Sequence, residues 1–214
     1  MIGRIQAHLE AIYGLSCEAR AEAFVVEPEV ARLLGSSGQV REELLIHEED
    51  GALEVALYLD PALLARLRPY ESATAEHLLD GELDGYCQVA EGVSHFVYLA
   101  EAAAKDRRVS LLELEAQAEV DKFAICLLHR WGEGALLWAR ELLHRLFEAI
   151  SFHPHLSSAE LWRYEEANRL ARNYCSRLLP HVAERRLDKL LSALRYSYRL
   201  GAEAKLRHLG AQSG

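Results

Sequence analysis

The chain lacks the features that mark several classes of protein. Its 214 residues include only four cysteines, and these are far apart in the sequence, at Cys17, Cys87, Cys126 and Cys175. That pattern excludes a disulfide framework and a zinc knuckle, and it predicts reduced, mostly buried thiols. No window reaches the apolar length that spans a bilayer, and the N-terminus lacks the apolar run of a secretory signal. The cytoplasm is therefore the predicted compartment.

Several motifs of catalysis and ligand binding are also missing. The sequence has no glycine-rich phosphate loop, no G-x-S-x-G elbow and no suitable setting for a nucleophilic cysteine. Basic residues are outnumbered, because 24 lysines and arginines stand against 33 aspartates and glutamates, for a net charge of −9. This excess of negative charge disfavours nucleic acid and membranes as partners of the molecule as a whole.

The composition that remains is typical of a globular protein. Half of the residues are apolar and 27% are charged, which argues against extensive disorder and allows one well-buried core. We predict a single domain over 1–214 of the α+β class, mainly α. In it, a small antiparallel sheet within residues 1–70 packs on a bundle of about five helices within residues 71–214.

The strongest β signal is a hairpin at 41–59. Two β-prone runs flank a turn at Asp50-Gly51, and apolar residues alternate with others along the second run. Because two strands alone are marginally stable in water, we expect Phe24–Val26 to supply a third strand or helices to cover the apolar face. Asp60, followed by Pro61, is typical of a helix start.

From Ser72 onward the periodicity predicts helices only. The predicted segments are 82–105, 110–130, 134–151, 158–179 and 182–208. Ser157 and Glu160 match a capping box at the start of the fourth segment, and Pro180 is expected to end that segment.

The helix predicted at 82–105 carries one candidate site. Glu91 and His95 are i, i+4 neighbours and would hold one divalent metal ion together, although such a stripe is also typical of a solvated helix face. No other cofactor is predicted.

The helix predicted at 110–130 has two polar stripes with apolar residues on both sides, which indicates a central helix. In the first stripe, Lys122 lies three residues after Glu119 and can neutralise it. In the second stripe, Gln117 and Asp121 have no cation nearby in the helix. Buried polar groups need partners, so these two residues complete a candidate pocket with Glu91 and His95.

Part of the chain, about residues 44–130, resembles the zincin metallopeptidases. His95-Phe96, followed by the run from Gln117 to Ala124, resembles their two metal-site helices, in which H-E-x-x-H precedes a motif close to E-x-x-A-[DN]-x-F-A. Only His95 and Asp121 match the functional positions. Glu91 stands at the first ligand position, Gly92 at the general base and Gln117 at the third ligand. The resemblance therefore implies a fold whose peptidase chemistry has been lost or replaced.

A basic stripe is predicted on the last helix. Residues 181–214 contain seven lysines and arginines and three acidic residues, a local charge of +4, so the rest of the chain carries −13. The partner-binding candidates are Arg185, Lys189, Tyr196 and Arg199. Their basic groups would meet phosphates or an acidic protein, or would simply face solvent.

Three functions stay open at this point. The leading one is a non-enzymatic intracellular module for protein interaction or regulation, because no complete catalytic set is present and amphipathic helices are natural docking surfaces. The second is a metal-binding protein or zincin-like (pseudo)hydrolase with a site between the helices 82–105 and 110–130. The third is a polyanion binder that uses the basic helix. An exposed apolar patch on the hairpin or the last helix would favour homo-oligomers.

Overall fold

The computed structural model describes residues 1–38, 40–49, 52–152 and 156–211. The elements, in chain order, are α1 Ile2–Tyr13, β1 Val25–Val26, α2 Pro28–Leu33, β2 Glu42–Glu49, β3 Ala52–Leu59, α3 Pro61–Leu67, α4 Ala75–Ala103, α5 Leu111–His129, α6 Ala135–Leu143, α7 Ser158–Ala183, α8 Leu187–Arg199 and α9 Ala202–Gly210. The described chain is therefore α+β and mainly α, while its organisation as a single domain stays a prediction.

The sheet has three strands in the order β1-β3-β2. Strands β2 and β3 form the antiparallel hairpin, in a register that pairs Glu42 with Leu59 and Leu44 with Leu57. The expected third strand forms at β1, but it runs parallel to β3, with Val25 opposite Leu57. The sheet is thus mixed and not purely antiparallel, because α2 lies between β1 and the hairpin and reverses the chain before β2 begins. The Asp50-Gly51 turn lies outside the described residues.

Capping residues set several helix ends, and those predicted at Asp60 and Ser157 are among them. Gly14 ends α1 in the left-handed conformation, with φ 66°. The side chain of Asp60 accepts a hydrogen bond of 2.8 Å from the Ala62 N–H at the start of α3. Ser157 and Glu160 form the full capping box of α7. In each case the cap binds backbone groups that the helix itself leaves unpaired.

The end of the helical part differs from the sequence prediction. Pro180 lies inside α7, which continues to Ala183, and the predicted last helix is two helices, α8 and α9, that meet near Gly201. The described residues after 71 therefore contain six helices and not about five. Leu178 and Val182, on either side of Pro180, are buried, and their packing offsets the one backbone hydrogen bond that proline removes.

Helix α4 begins earlier than predicted. Thr74 caps its N-terminus. Glu82, the predicted first residue, has non-helical backbone angles of φ −143° and ψ 38°, so the helix is kinked where the apolar periodicity of the sequence begins. Helix α6 ends at Leu143 and continues as a π-helical turn over His144–Glu148. The predicted helix 134–151 is therefore shorter and less regular than expected.

Helix α5 is the centre of the fold. It packs against α1, α4, α6, α7 and α9, and most of its residues are buried, including members of both polar stripes. The expectation of a helix packed on both sides is confirmed. Because charged side chains on such a helix must find partners in the interior, the polar groups of α5 define the candidate site.

Candidate functional site

The first polar stripe of α5 meets α4 in a group of charged side chains that we call the carboxylate–histidine cluster. Its members are Glu42 of β2, Glu91 and His95 of α4, Glu115, Glu119 and Lys122 of α5, and Arg163 of α7. Donor atoms of Glu91, His95 and Glu115 all lie within 4.8 Å of one another. Carboxylate and imidazole at this separation are the donor set of a divalent metal site.

The imidazole of His95 lies between two carboxylates. Its Nε2 is 3.4 Å from Oε2 of Glu115, and its Nδ1 is 3.9 Å from Oε2 of Glu42. Among the described residues, neither Nε2 of His95 nor Oε2 of Glu42 makes a hydrogen bond, although both atoms are buried. Buried polar atoms are normally paired, so these two atoms are available to bind a further group in the cluster.

Two cations hold the carboxylates from the other side. Lys122 donates to Oε2 of Glu91 at 2.8 Å and to Oε1 of Glu119 at 2.9 Å. The guanidinium of Arg163 is 3.6 Å from Oε1 of Glu115, the oxygen that does not face the imidazole. Glu91 and Glu115 are therefore each held by a cation through one oxygen only.

Gly92 allows the hairpin to approach α4 closely. A Cβ atom at this position would lie 2.8 Å from Oε2 of Glu42 and 3.0 Å from Cδ1 of Leu57. The absence of a side chain thus lets the carboxylate of Glu42 reach over the helix to His95. The resemblance to zincins would place a general base at residue 92. Gly92 has no side chain, and it allows the hairpin and α4 to pack closely at this point.

Burial and mutual charge shift the pKa values in the cluster. Burial raises the pKa of Glu42 to about 8, against the opposing effect of His95. Burial lowers the pKa of His95, but the carboxylates of Glu115, Glu42 and Glu91 outweigh it and raise that pKa to about 9. Burial also raises the pKa of Glu91, but Lys122 and His95 bring it below its ordinary value. Near neutral pH these shifts favour the protonated carboxyl of Glu42 and the imidazolium of His95, which together neutralise much of the negative charge of the cluster.

The second polar stripe of α5 belongs to a different group, which we call the core network. It consists of Tyr13, Ser94, Tyr98, Arg107, Glu113, Gln117, Asp121 and Lys205. Asp121 accepts hydrogen bonds from Tyr13, from Ser94 at 2.5 Å and from Gln117 at 2.7 Å. These contacts join α1, α4 and α5 through one buried carboxylate.

Lys205 of α9 is the cation of this network. Its ammonium donates to Oε1 of Gln117 at 2.7 Å and to the hydroxyl of Tyr98 at 2.5 Å, and Tyr98 in turn donates to Glu113 at 2.5 Å. Lys205 is fully buried, and burial lowers its pKa to about 7. Burial raises the pKa of Asp121 to about 6, although its three hydrogen bonds oppose the shift. Among the described network atoms that are buried, Oε2 of Glu113 alone makes no hydrogen bond, and the other contacts hold the helices together.

The hydrogen bonds divide the four residues of the predicted pocket between the two groups. Glu91 and His95 lie in the carboxylate–histidine cluster, while Gln117 and Asp121 lie in the core network. Glu115, two residues before Gln117, takes the position beside His95 that the zincin pattern gives to residue 117. The sequence pattern does not single out Glu115, Glu42 or Lys205.

The basic partner-binding candidates lie apart from both groups. Lys189, Tyr196 and Arg199 are exposed on α8, which is not the last helix. Arg185 precedes α8 and has a left-handed backbone conformation, with φ 53°, so it does not continue the stripe. Tyr196 and Arg199 line a shallow depression of about 330 Å³. Binding of a polyanion there stays a prediction.

No protein-family model, curated protein or solved structure matches the chain. The resemblance to zincins therefore stays a prediction.

Within the described parts of the chain, none of the helices combines the length and the apolar character that crossing a bilayer requires.

Proposed function

We propose that the protein binds one divalent transition-metal ion through Glu91, His95 and Glu115. The observation that carries the proposal is the mutual approach of their donor atoms to within 4.8 Å, in a buried setting and from two adjacent helices. Donors that share one ion at about 2.1 Å are about 3.4 Å apart in tetrahedral geometry, so the most distant pair must close by up to about 1.4 Å. Nε2 of His95 and Oε2 of Glu115 already have this separation, 3.4 Å.

The neighbours of these three residues support the same function. A divalent ion that displaces the protons of His95 and Glu42 leaves four carboxylates and two cations in the cluster, which sum to −2 and which the ion balances. Glu42 faces Nδ1 of His95 and is suited to accept its proton, the outer-shell role that carboxylates play behind metal-bound histidines. Nδ1 held in this way leaves Nε2 as the ligand atom. Mixed nitrogen and oxygen donors favour Zn²⁺, Fe²⁺ or Mn²⁺ over Ca²⁺.

The depth of the site bears on what the metal would do. The side chains of His95 and Glu115 are 7% and 9% exposed, which leaves little room for a polypeptide substrate beside the ion. Gly92, at the position of the zincin general base, has no proton-transfer group. We therefore propose that the metal ion stabilises or regulates the fold, as would suit a non-enzymatic module.

Titration calorimetry and elemental analysis test the metal site. We expect one Zn²⁺ per chain, and we expect Glu115→Gln to weaken binding by more than the roughly 10–100-fold that loss of an outer-shell partner costs. Glu203→Gln, an exposed residue of α9, is the matched control and should bind as the unaltered chain does. Circular dichroism verifies that each variant is folded. Absence of Zn²⁺ binding, or equal binding by Glu115→Gln, would contradict the proposal.

The role of Gly92 gives a second expected result. In Gly92→Ala, the new methyl group should displace the carboxylate of Glu42 and weaken Zn²⁺ binding by roughly 10–100-fold. Stability should change little, because alanine favours the helix by about 1 kcal/mol and offsets part of the crowding. Gly85→Ala in the same helix, whose Cβ would approach other side chains, should bind Zn²⁺ normally. Equal affinity in both variants would remove Glu42 from the site.

A further inference from the structure

A cluster of exposed apolar side chains lies between α2 and the hairpin. Val30, Leu33, Leu34, Val40 and Ile46 are exposed, Leu33 to 86%, although large apolar side chains are usually buried. A groove of about 560 Å³ runs along this region, and Leu33 at the end of α2 forms one wall together with Leu34, which follows the helix. Leu45 and Ala56, which are paired across the hairpin, line the groove from the sheet. A contiguous exposed apolar surface of this kind marks a binding site.

The same groove borders an edge of the sheet. In the described sheet β2 is an outer strand of eight residues, Glu42–Glu49, with β3 on one side only. Its outward row of backbone N–H and C=O groups can therefore pair with another extended strand. Strand addition of this type gains affinity from main-chain hydrogen bonds and specificity from side chains in adjacent pockets.

The charge of the hairpin indicates which kind of strand can pair with β2. Residues 42–54 contain six acidic residues and neither lysine nor arginine, and the apolar run Leu44–Ile46 separates two pairs of glutamates, at residues 42 and 43 and at residues 48 and 49. Antiparallel pairing of β2 with β2 of a second copy would bring the exposed Glu48 and Glu54 of both copies into one sheet, and residues 42–54 contain no lysine or arginine to balance them. Like charges that lie close together in a sheet destabilise the pairing. A second copy is therefore disfavoured, and a strand with basic ends is favoured.

We propose that the groove between α2 and β2 binds an extended peptide segment with an apolar centre flanked by lysine or arginine. The backbone of the segment pairs with β2, and its apolar side chains on one face contact Leu33, Leu34 and Leu45. A basic end of the segment lies against the exposed carboxylate of Glu48 near the end of β2. Glu54, also exposed, adds a further acidic group to the groove wall. The groove residues Leu33, Leu34 and Leu45 take no part in the metal site proposed above.

Fluorescence anisotropy with two labelled peptides tests the proposal. Both peptides have Val-Ile-Val at the centre; one carries two lysines at each end and the other carries two glutamates. We expect the basic peptide to bind at least tenfold more tightly, and Leu33→Asp to weaken it at least tenfold. Leu137→Asp changes a side chain that is equally exposed, at 75%, on α6, and should leave binding unchanged. Since both leucines are exposed, neither variant endangers folding.

Charge reversal and sedimentation complete the test. In Glu48→Lys, the ratio of the affinities for the basic and the acidic peptide should fall at least threefold. Glu115→Gln disrupts only the metal site and should leave peptide binding intact. Equal affinity for the two peptides, or full binding by Leu33→Asp, would overturn the proposal. It would also be overturned if the chain sediments as a dimer that Leu33→Asp converts to a monomer, since the groove would then be occupied by a second copy.

Discussion

Replacing Lys122 by methionine is expected to lower the free energy of unfolding by about 3–5 kcal/mol, the usual cost of removing one partner from a buried ion pair. Lys122 binds Glu91 at 2.8 Å and Glu119 at 2.9 Å, and its side chain is 11% exposed. Burial lowers the pKa of Lys122, but Glu119 and Glu91 outweigh it and raise that pKa well above its ordinary value. Without the ammonium, both carboxylates would stay in the interior with no cation of their own.

Urea unfolding followed by circular dichroism measures this loss. Lys105→Met is the matched control, because Lys105 forms a pair of similar length, 2.8 Å to Glu101, but its side chain is 61% exposed. The control should cost only about 0.2–1 kcal/mol. Adding Glu91→Gln to Lys122→Met should recover part of the loss, because one unpaired charge disappears. A loss below 1 kcal/mol for Lys122→Met would mean that the carboxylates are protonated and that the ammonium is not needed.

The effect of Zn²⁺ on the stability of Lys122→Met gives a second test. A divalent ion held by Glu91, His95 and Glu115 would supply positive charge where Lys122 has been removed. Saturating Zn²⁺ should therefore raise the stability of Lys122→Met, by the linkage between binding and folding, and it should do so more than for the unaltered chain. The comparison separates a failure of the ion pair from a failure of the metal proposal.

The sequence predicts contacts between residues that lie a few positions apart on one helix. Glu91 and His95 were selected because residues four apart share a helix face, and both lie in the carboxylate–histidine cluster. Lys122 was expected to neutralise Glu119, and the two side chains are hydrogen-bonded. The capping residue Ser157 was identified for the same reason, because its partners are a few residues away.

What the sequence does not predict depends on contacts between distant elements. Periodicity places Glu115 and Gln117 on different faces of α5, but it does not say which face meets α4. Asp121 has no cation on its own face of α5, and the cation of its network is Lys205, 84 positions later in the sequence. Glu42 reaches His95 only because β2 crosses α4 at Gly92. Such partners are decided by tertiary packing, for which a single sequence carries no local signal.

The core network should make stability depend on pH in two opposite ways. Lys205 has a pKa lowered to about 7, so between about pH 7 and 10 the unfolded chain binds more protons than the folded chain. Stability therefore rises with pH in this window, by up to about 1.4 kcal/mol per pH unit. Asp121 has a pKa raised to about 6, so between about pH 4 and 6 the folded chain binds more protons, and stability falls as pH rises.

Comparison with Lys205→Met isolates the first effect. The other titrating groups around the ammonium are Tyr98, Glu113, Asp121, Arg107 and Tyr198, and they are present in both chains. The difference in the free energy of unfolding between the two chains should shift in favour of the unaltered chain as pH rises from 7 to 10. Lys189→Met, in which an exposed lysine of α8 is replaced, should show no such shift.

Asp121→Asn isolates the second effect and gives the opposite sign. The amide removes the buried carboxyl but keeps an oxygen that accepts from Ser94 or Tyr13. Between pH 4 and 6 the unaltered chain should lose stability relative to Asp121→Asn as pH rises. Denaturant midpoints measured at unit pH steps supply both differences. If neither difference in the free energy of unfolding changes with pH, Lys205 and Asp121 are charged throughout and bind each other as an ion pair. The core network would then add no pH dependence to the stability of the fold.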